Sequence, residues 1–460
     1  MSKSETAEEA PAARSGPRPF LVSHRLVLSI VIPMTLAYLT TPLLGLVDMA
    51  VVGRLGDAAL IGGLAVGAII FDLVFATFNF LRAATTGLVA QAFGRDDETE
   101  QQAIFWRSLM IGLAAGVILL ILSPMIIMLG VWAMAPDDAV RRATETYVSI
   151  RMVAAPASLG NYAILGFVLG RGRGFAALLL QSVINGVNIV LSIFLGLVLG
   201  WGIAGVAWAT VIGEGVGLIA GFVFVRMTAD PGRAPDWRRI LDRTALLQLM
   251  SLNRDIMIRS FCLLTAFALF VRQGGQFGAV TLAANAVLMN FFLVAGYYLD
   301  GFATAAEQLA GRAVGARYRP AFDRAVRLTL LWGFGMAGVT TLFFLLLGPA
   351  VIDLLTTSEE VRASARDYFV WAAFTALAGV LAFQMDGVFI GATWSRDMRN
   401  MMLLSLALFV LLSWLLVPLI GNHGLWLALL AFLGARGVTL YALLDRRAGT
   451  TFRVSAAETA

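Results

Sequence analysis

Apolar residues run along this chain in blocks of about 20 or more, separated by short polar or Gly/Pro-rich gaps. A helix of about 20 apolar residues crosses a hydrocarbon core of about 30 Å, so each block predicts a membrane-spanning helix. Twelve such helices are predicted, near 25–52, 59–88, 106–133, 143–169, 176–199, 203–227, 245–271, 279–309, 325–355, 364–391, 399–420 and 423–445. The longest polar connection, TADPGRAPDWRRILDR at 228–243, falls at mid-chain and divides the helices into two sets of six. The expected organisation is a disordered cytoplasmic tail over 1–23, a first lobe over 24–227, a cytoplasmic linker over 228–244, a second lobe over 245–447 and a cytoplasmic tail over 448–460. Nothing in 1–23 resembles the apolar core of a cleavable signal, so the first helix is expected to stay as an anchor.

The two halves match at one ungapped offset of 221 residues: Gly53 with Gly274, Ala65-Val66 with Ala286-Val287, Gly94 with Gly315, Tyr147 with Tyr368, Gly170 with Gly391 and Gly200 with Gly421. Six crossings per half bring the second half into the membrane in the same orientation as the first. The repeat is therefore expected to be parallel, with its axis along the membrane normal. The fold class is an all-α polytopic membrane protein of twelve helices in two pseudo-symmetric six-helix bundles. Transporters built this way bind substrate near the midplane and rock one lobe against the other.

Composition agrees with the pattern: 59% of the 460 residues are hydrophobic, only 14% are charged, and the mean hydropathy is +0.83. A soluble domain could not hide that much apolar surface. The net charge of +5 does not point to nucleic acid, because the arginines sit in short gaps and form no basic helix. They are unequally shared between the two sides. Gaps on one side hold most of them, whereas the opposite gaps hold only Arg54, Arg141, Arg142, Arg272, Arg362 and Arg366, which places both termini in the cytoplasm. The single cysteine, Cys262, excludes an internal disulfide and a cysteine-based metal site.

Ionisable groups inside helices cost about 2.5–3.5 kcal/mol each at the helix centre, so each is a functional candidate. Asp48 lies late in the first helix, in PLLGLVDMAVVG, downstream of Pro33 and Pro42, which weaken the helical ladder. A lone carboxyl in a partly dry cavity can load or release a proton as its hydration changes. In the second half, Arg254, Asp255 and Arg259 open the seventh helix and are candidates for structural ion pairs. Asp300 and Glu307, about two turns apart on the eighth helix, and Asp386 on the tenth are candidates for coupling or substrate binding. Seventeen Met and thirty Phe permit an adaptable cavity without locating it.

No GxxxxGK[ST] loop is present, so no nucleotide site or partner ATPase subunit is expected. GRGRG at 170–174 reads as a tight turn, and His24 and His423 stand alone, so no metal site is expected either. Without a nucleophile–base pair the chain is not expected to be an enzyme or to carry a cofactor.

The runs PLLGLVDMAVVGRLG, FLRAATTGLVAQAFG, APASLGNYAILGFVLG, LNRDIMIRS, NAVLM, LDGFATAAE, DGVFIGATWSRDMRN and GNHGLWLALLAF, in this order across residues 28–445, resemble the DinF-type branch of the multidrug and toxic compound extrusion (MATE) family. The resemblance implies two six-helix bundles in a V around a central cavity. It also implies alternating-access export of amphipathic, chiefly cationic compounds by a monomer in a bacterial inner membrane, driven by inward flow of H⁺, with Na⁺ as the alternative. In the family a first-helix Asp and a proline-dependent bend belong to a hydrogen-bonded network, whose matching positions are Pro33, Asp48, Tyr147, Asn188 and Thr210. Many relatives end the fifth-helix motif NxxLD in Asp, whereas this chain reads NIVLS and places Ser192 there. A two-carboxylate cation site is thereby disfavoured and proton coupling through Asp48 favoured. Competing readings are another twelve-helix transporter such as a major facilitator, a lipid-linked precursor flippase of the same superfamily, and a membrane-embedded enzyme or scaffold.

Overall fold

The computed structural model describes residues 16–457, and every regular element among them is helical. The helices are α1 (His24–Gly53), α2 (Ala58–Thr77), α3 (Asn79–Gly94), α4 (Glu98–Met134), α5 (Asp138–Met152), α6 (Ala155–Gly170), α7 (Gly174–Ile193), α8 (Gly202–Thr228), α9 (Trp237–Ile240), α10 (Arg243–Gly275), α11 (Ala279–Gly315), α12 (Arg319–Leu355), α13 (Glu359–Gly391), α14 (Ser395–Ile420) and α15 (Asn422–Ala457). Ten spans among the described residues are long and apolar enough to cross a membrane, α2 and α3 counting as one, and the α5–α6 pair, bent by 51°, adds an eleventh. The remaining long helix, α10, has 33 residues and carries Arg254, Asp255 and Arg259 in its first half.

Short polar side chains in the gaps start the helices. Ser23, Asp57, Asp97, Asp137 and Asp242 each accept a hydrogen bond from an otherwise free amide of the first turn. The connections repeat at the offset seen in the sequence. Left-handed backbone occurs at Asp96 and Arg317, at Gly172 and Thr393, and at Gly200 and Gly421, each pair 221 residues apart. Packing repeats as well: a Cβ on Gly166 or Gly170 would collide with the Arg82 or Thr86 carbonyl, and one on Gly387 or Gly391 with the Ala303 or Glu307 carbonyl. Contacts between α3 and α11 advance in step, from Ala90 against Gly311 to Gly94 against Ala316, so these helices run parallel where the halves meet.

Three apolar cores among the described residues show where the lobes join. One lies within the first lobe, around Leu64, Phe71, Tyr147 and Val206. A second lies within the other lobe, around Phe270, Leu288, Phe344 and Trp426. The third is shared, running from Ile30, Val89 and Phe167 to Leu309, Phe322 and Val388, and it occupies the end where arginines crowd the turns. The lobes are therefore fused at the basic end and have separate cores at the other.

Several sequence expectations are corrected. Residues 1–15 lie outside the described residues, but 16–23, expected to be disordered, form an extended segment packed against both lobes, with Val22 buried. The tail from 448 is helical to Ala457, because Ala448 is buried and Phe452 packs on Phe322. The linker contains a 3₁₀ turn (Pro231–Arg233) and α9, whose Arg239 and Ile240 carbonyls accept hydrogen bonds from buried Arg107 at 2.5 and 2.9 Å. The second and fourth crossings, expected as single helices, break at Phe78 and at Val153-Ala154. Pro156 in the first turn of α6 lacks the amide that would continue α5, whereas its counterpart Leu377 lies in the unbroken α13.

Candidate functional site

Asp48 lies on the last third of α1, buried against α7. Ser192 Oγ sits 2.9 Å from Asp48 Oδ1 and 3.0 Å from Asn188 Oδ1, Asn188 Nδ2 donates to Thr210 Oγ1 at 3.0 Å, and Thr210 reaches the Val206 carbonyl at 3.4 Å. Asn188 and Ser192 are one helical turn apart on α7, which aims both at the same neighbours. Four of the sequence-predicted residues thus form one buried chain. Tyr147, expected in it, is bonded elsewhere: its hydroxyl accepts from Arg151 Nη1 at 2.6 Å, one turn along α5. Arg151 in turn lies over the Phe71 ring at 3.8 Å. Pro33 lies within α1, which stays helical through both prolines.

The repeat isolates what is special about this chain of hydrogen bonds. At the 221-residue offset, Asp48, Asn188 and Thr210 correspond to Leu269, Phe409 and Ala431. Only Ser192 has a like counterpart, Ser413, whose buried Oγ has no hydrogen-bond partner among the described residues. The polar chain belongs to the first lobe alone.

A cavity of about 450 Å³ opens beside it, lined by Asn188 and Thr210 and by charged Asp72, Arg82, Arg151 and Glu214. Glu214 accepts from Asn161 Nδ2 at 2.7 Å. Asp72 faces open space with neither a hydrogen bond nor an ion pair among the described residues. Apolar Met34, Leu44 and Phe75 complete the walls. Sequence reasoning gave these charged residues no role. The signal was present for two of them, since Glu214 is one turn from Thr210 and Arg151 one turn from Tyr147.

The second-lobe candidates meet at the lobe interface. Asp300, Glu307, Asp386 and Arg259 line a small pocket of about 70 Å³ with Tyr38, Asn79 and Arg82 of the first lobe, and the last three also line the larger cavity. Asp386 is held by two arginines, Arg436 at 2.6 Å and Arg259. Asp255 pairs with Arg254 at 3.1 Å and Arg399 at 2.8 Å and accepts from Ser395 at 2.9 Å. The expected trio therefore divides: Arg254 and Asp255 pair locally, but Arg259 belongs to Asp386 of α13. Contacts that cross the interface here include Arg82 to Glu307 at 3.9 Å and Tyr38 to Thr304 at 3.0 Å. Among the described residues no group of His, Cys, Asp and Glu could hold a metal ion.

Comparison with known proteins agrees with this architecture. The family model MatE matches residues 33–194 and again 256–415, once per lobe. The chain is 37% identical over 433 residues to the DNA damage-inducible protein F of Escherichia coli (strain K12), covering 94% of each. It is 25% identical to a probable multidrug resistance protein NorM of Chromobacterium violaceum, covering 94% of this chain and 96% of that one. Among solved structures, a mutant of the MATE transporter VcmN of Vibrio cholerae superimposes with a TM-score of 0.82 at 18% identity, covering 95% and 97% of the two chains. A MOP superfamily transporter of Pyrococcus furiosus gives 0.83 at 19% identity, covering 93% and 96%. With two matched repeats and twelve helices in two lobes, this chain belongs to the MATE family of membrane transporters.

Proposed function

We propose that this transporter exports amphipathic cations through the first-lobe cavity, driven by protons that load and leave Asp48. What supports the reading is a count of hydrogens. Ser192 has one hydroxyl hydrogen and stands within bonding distance of two acceptors, Asp48 Oδ1 and Asn188 Oδ1. With Asp48 protonated, the chain runs in one direction, Asp48 to Ser192 to Asn188 to Thr210 to the Val206 carbonyl, and every link has a donor. With Asp48 ionised, Ser192 turns to the carboxylate and Asn188 Oδ1 loses its donor. One proton therefore reorients the wall of the cavity at Asn188 and Thr210, which is the link a substrate–proton antiporter needs. The cationic preference rests on Asp72 and Glu214, acidic groups facing the cavity beside aromatic Phe75 and Tyr162.

Purified protein in liposomes loaded with a fluorescent organic cation tests this directly. An imposed proton gradient is expected to drive transport without ATP, and a sodium gradient at equal pH is not. Transport driven by sodium alone would overturn proton coupling, and transport of a matched anion in preference to the cation would overturn the substrate class.

A further inference from the structure

The segment Gly16–Ser23 crosses the basic end of the molecule and touches both lobes. Arg18 is its centre: the backbone N–H donates to the Ala316 carbonyl at 2.9 Å, and the guanidinium donates to the Arg95 carbonyl and lies 3.5 Å from the Asp96 carboxylate. Arg95 and Ala316 are 221 residues apart, so one residue ties together the equivalent carbonyls of the two repeats. It sits where the pseudo-symmetry axis leaves the protein. Next, Phe20 lies under the Arg312 guanidinium at 4.1 Å, and the carbonyl of buried Val22 accepts from Arg324 Nε at 2.6 Å. Pro17 and Pro19 restrict the segment to extended backbone, which lowers the entropy lost on docking.

We infer that Gly16–Ser23 is an intramolecular clasp that holds the lobes together at the basic end and sets the balance between the two access states. Opening that end must part the Arg95 and Ala316 carbonyls, and the short link through Arg18 cannot follow both. Only the state closed at this end keeps the clasp docked, so its binding energy favours that state. Releasing it is expected to move the equilibrium toward the state open at the basic end by about five-fold or more, the usual scale of such couplings.

The test is a distance measurement between spin labels at Phe175→Cys and Arg396→Cys, exposed and equivalent positions on the two lobes, in a Cys262→Ala full-length background. Arg18→Ala and Arg18→Ala/Arg324→Ala are expected to enlarge the long-distance population in that order, and deletion of residues 2–22 to enlarge it most. Unchanged distance populations in well-folded point variants would overturn the inference, whatever the deletion does to folding. The readout needs neither gradient nor substrate, so it stands or falls apart from proton coupling.

Discussion

Among single residues, Asp48 is the one on which the proposed coupling depends. Its hydrogen-bond partner is a neutral hydroxyl and no cation among the described residues forms an ion pair with it, so Asp48→Asn keeps the size, removes the titrating group and strands no paired opposite charge. Gradient-driven efflux is expected to fall to the leak rate while expression and thermal stability persist. In that background Ser192→Asp is expected to restore pH-dependent transport, because it returns a carboxyl to the same hydrogen-bonded chain. Asp386 should behave in the opposite way. Its loss leaves partly buried Arg259 beside fully buried Arg436, whose Nε and Nη1 have no hydrogen-bond partner among the described residues. Asp386→Ala is therefore expected to destabilise the protein by about 3–5 kcal/mol, read as a large drop in melting temperature. The contrast shows what was legible in the sequence. Asp48, Asn188, Ser192 and Thr210 stand at positions that the family resemblance marks, and two of them share a helix face. The pairings Arg259–Asp386 and Arg82–Glu307 join residues 127 and 225 apart in number, and no local periodicity encodes them.

At the scale of elements, the twelve crossings could be read because lipid demands long apolar runs, which leave a strong pattern. Their ends could not. α3 and α11 continue to Gly94 and Gly315, beyond the apolar blocks, because small residues there let the two helices cross closely. A Cβ on Gly315 would run into the Gln91 carbonyl, and one on Gly94 into the Arg312 carbonyl. Gly315→Val is accordingly expected to cost about 1–3 kcal/mol through overpacking at the fused end, measured as a lower melting temperature. The breaks at Phe78 and at Val153-Ala154 lay hidden inside apolar runs, where one proline and local packing decide the geometry and hydropathy is uninformative.

At the scale of the whole molecule, near-symmetric packing and asymmetric chemistry coexist. Equivalent turns, glycine contacts and crossings repeat at one offset. The first lobe alone carries the Asp48 chain, and the second supplies Arg259, Asp300, Glu307 and Asp386 where the first has Tyr38, Asn79, Thr86 and Leu165. Under the proposed coupling, only one lobe of such a molecule senses the proton. Sequence reasoning anticipated the parallel repeat, but the clasp over 16–23 escaped it, since a short Pro- and Arg-containing stretch reads as a tail until the carbonyls it bridges are in place. In the proposed mechanism substrate and proton compete through Asp48. The most direct measurement is proton release when a fluorescent cation is added to purified, detergent-solubilised protein in weakly buffered solution, followed with a pH indicator. Wild-type protein is expected to release protons in step with substrate binding and Asp48→Asn protein to bind substrate with no release; equal release from both would contradict the account.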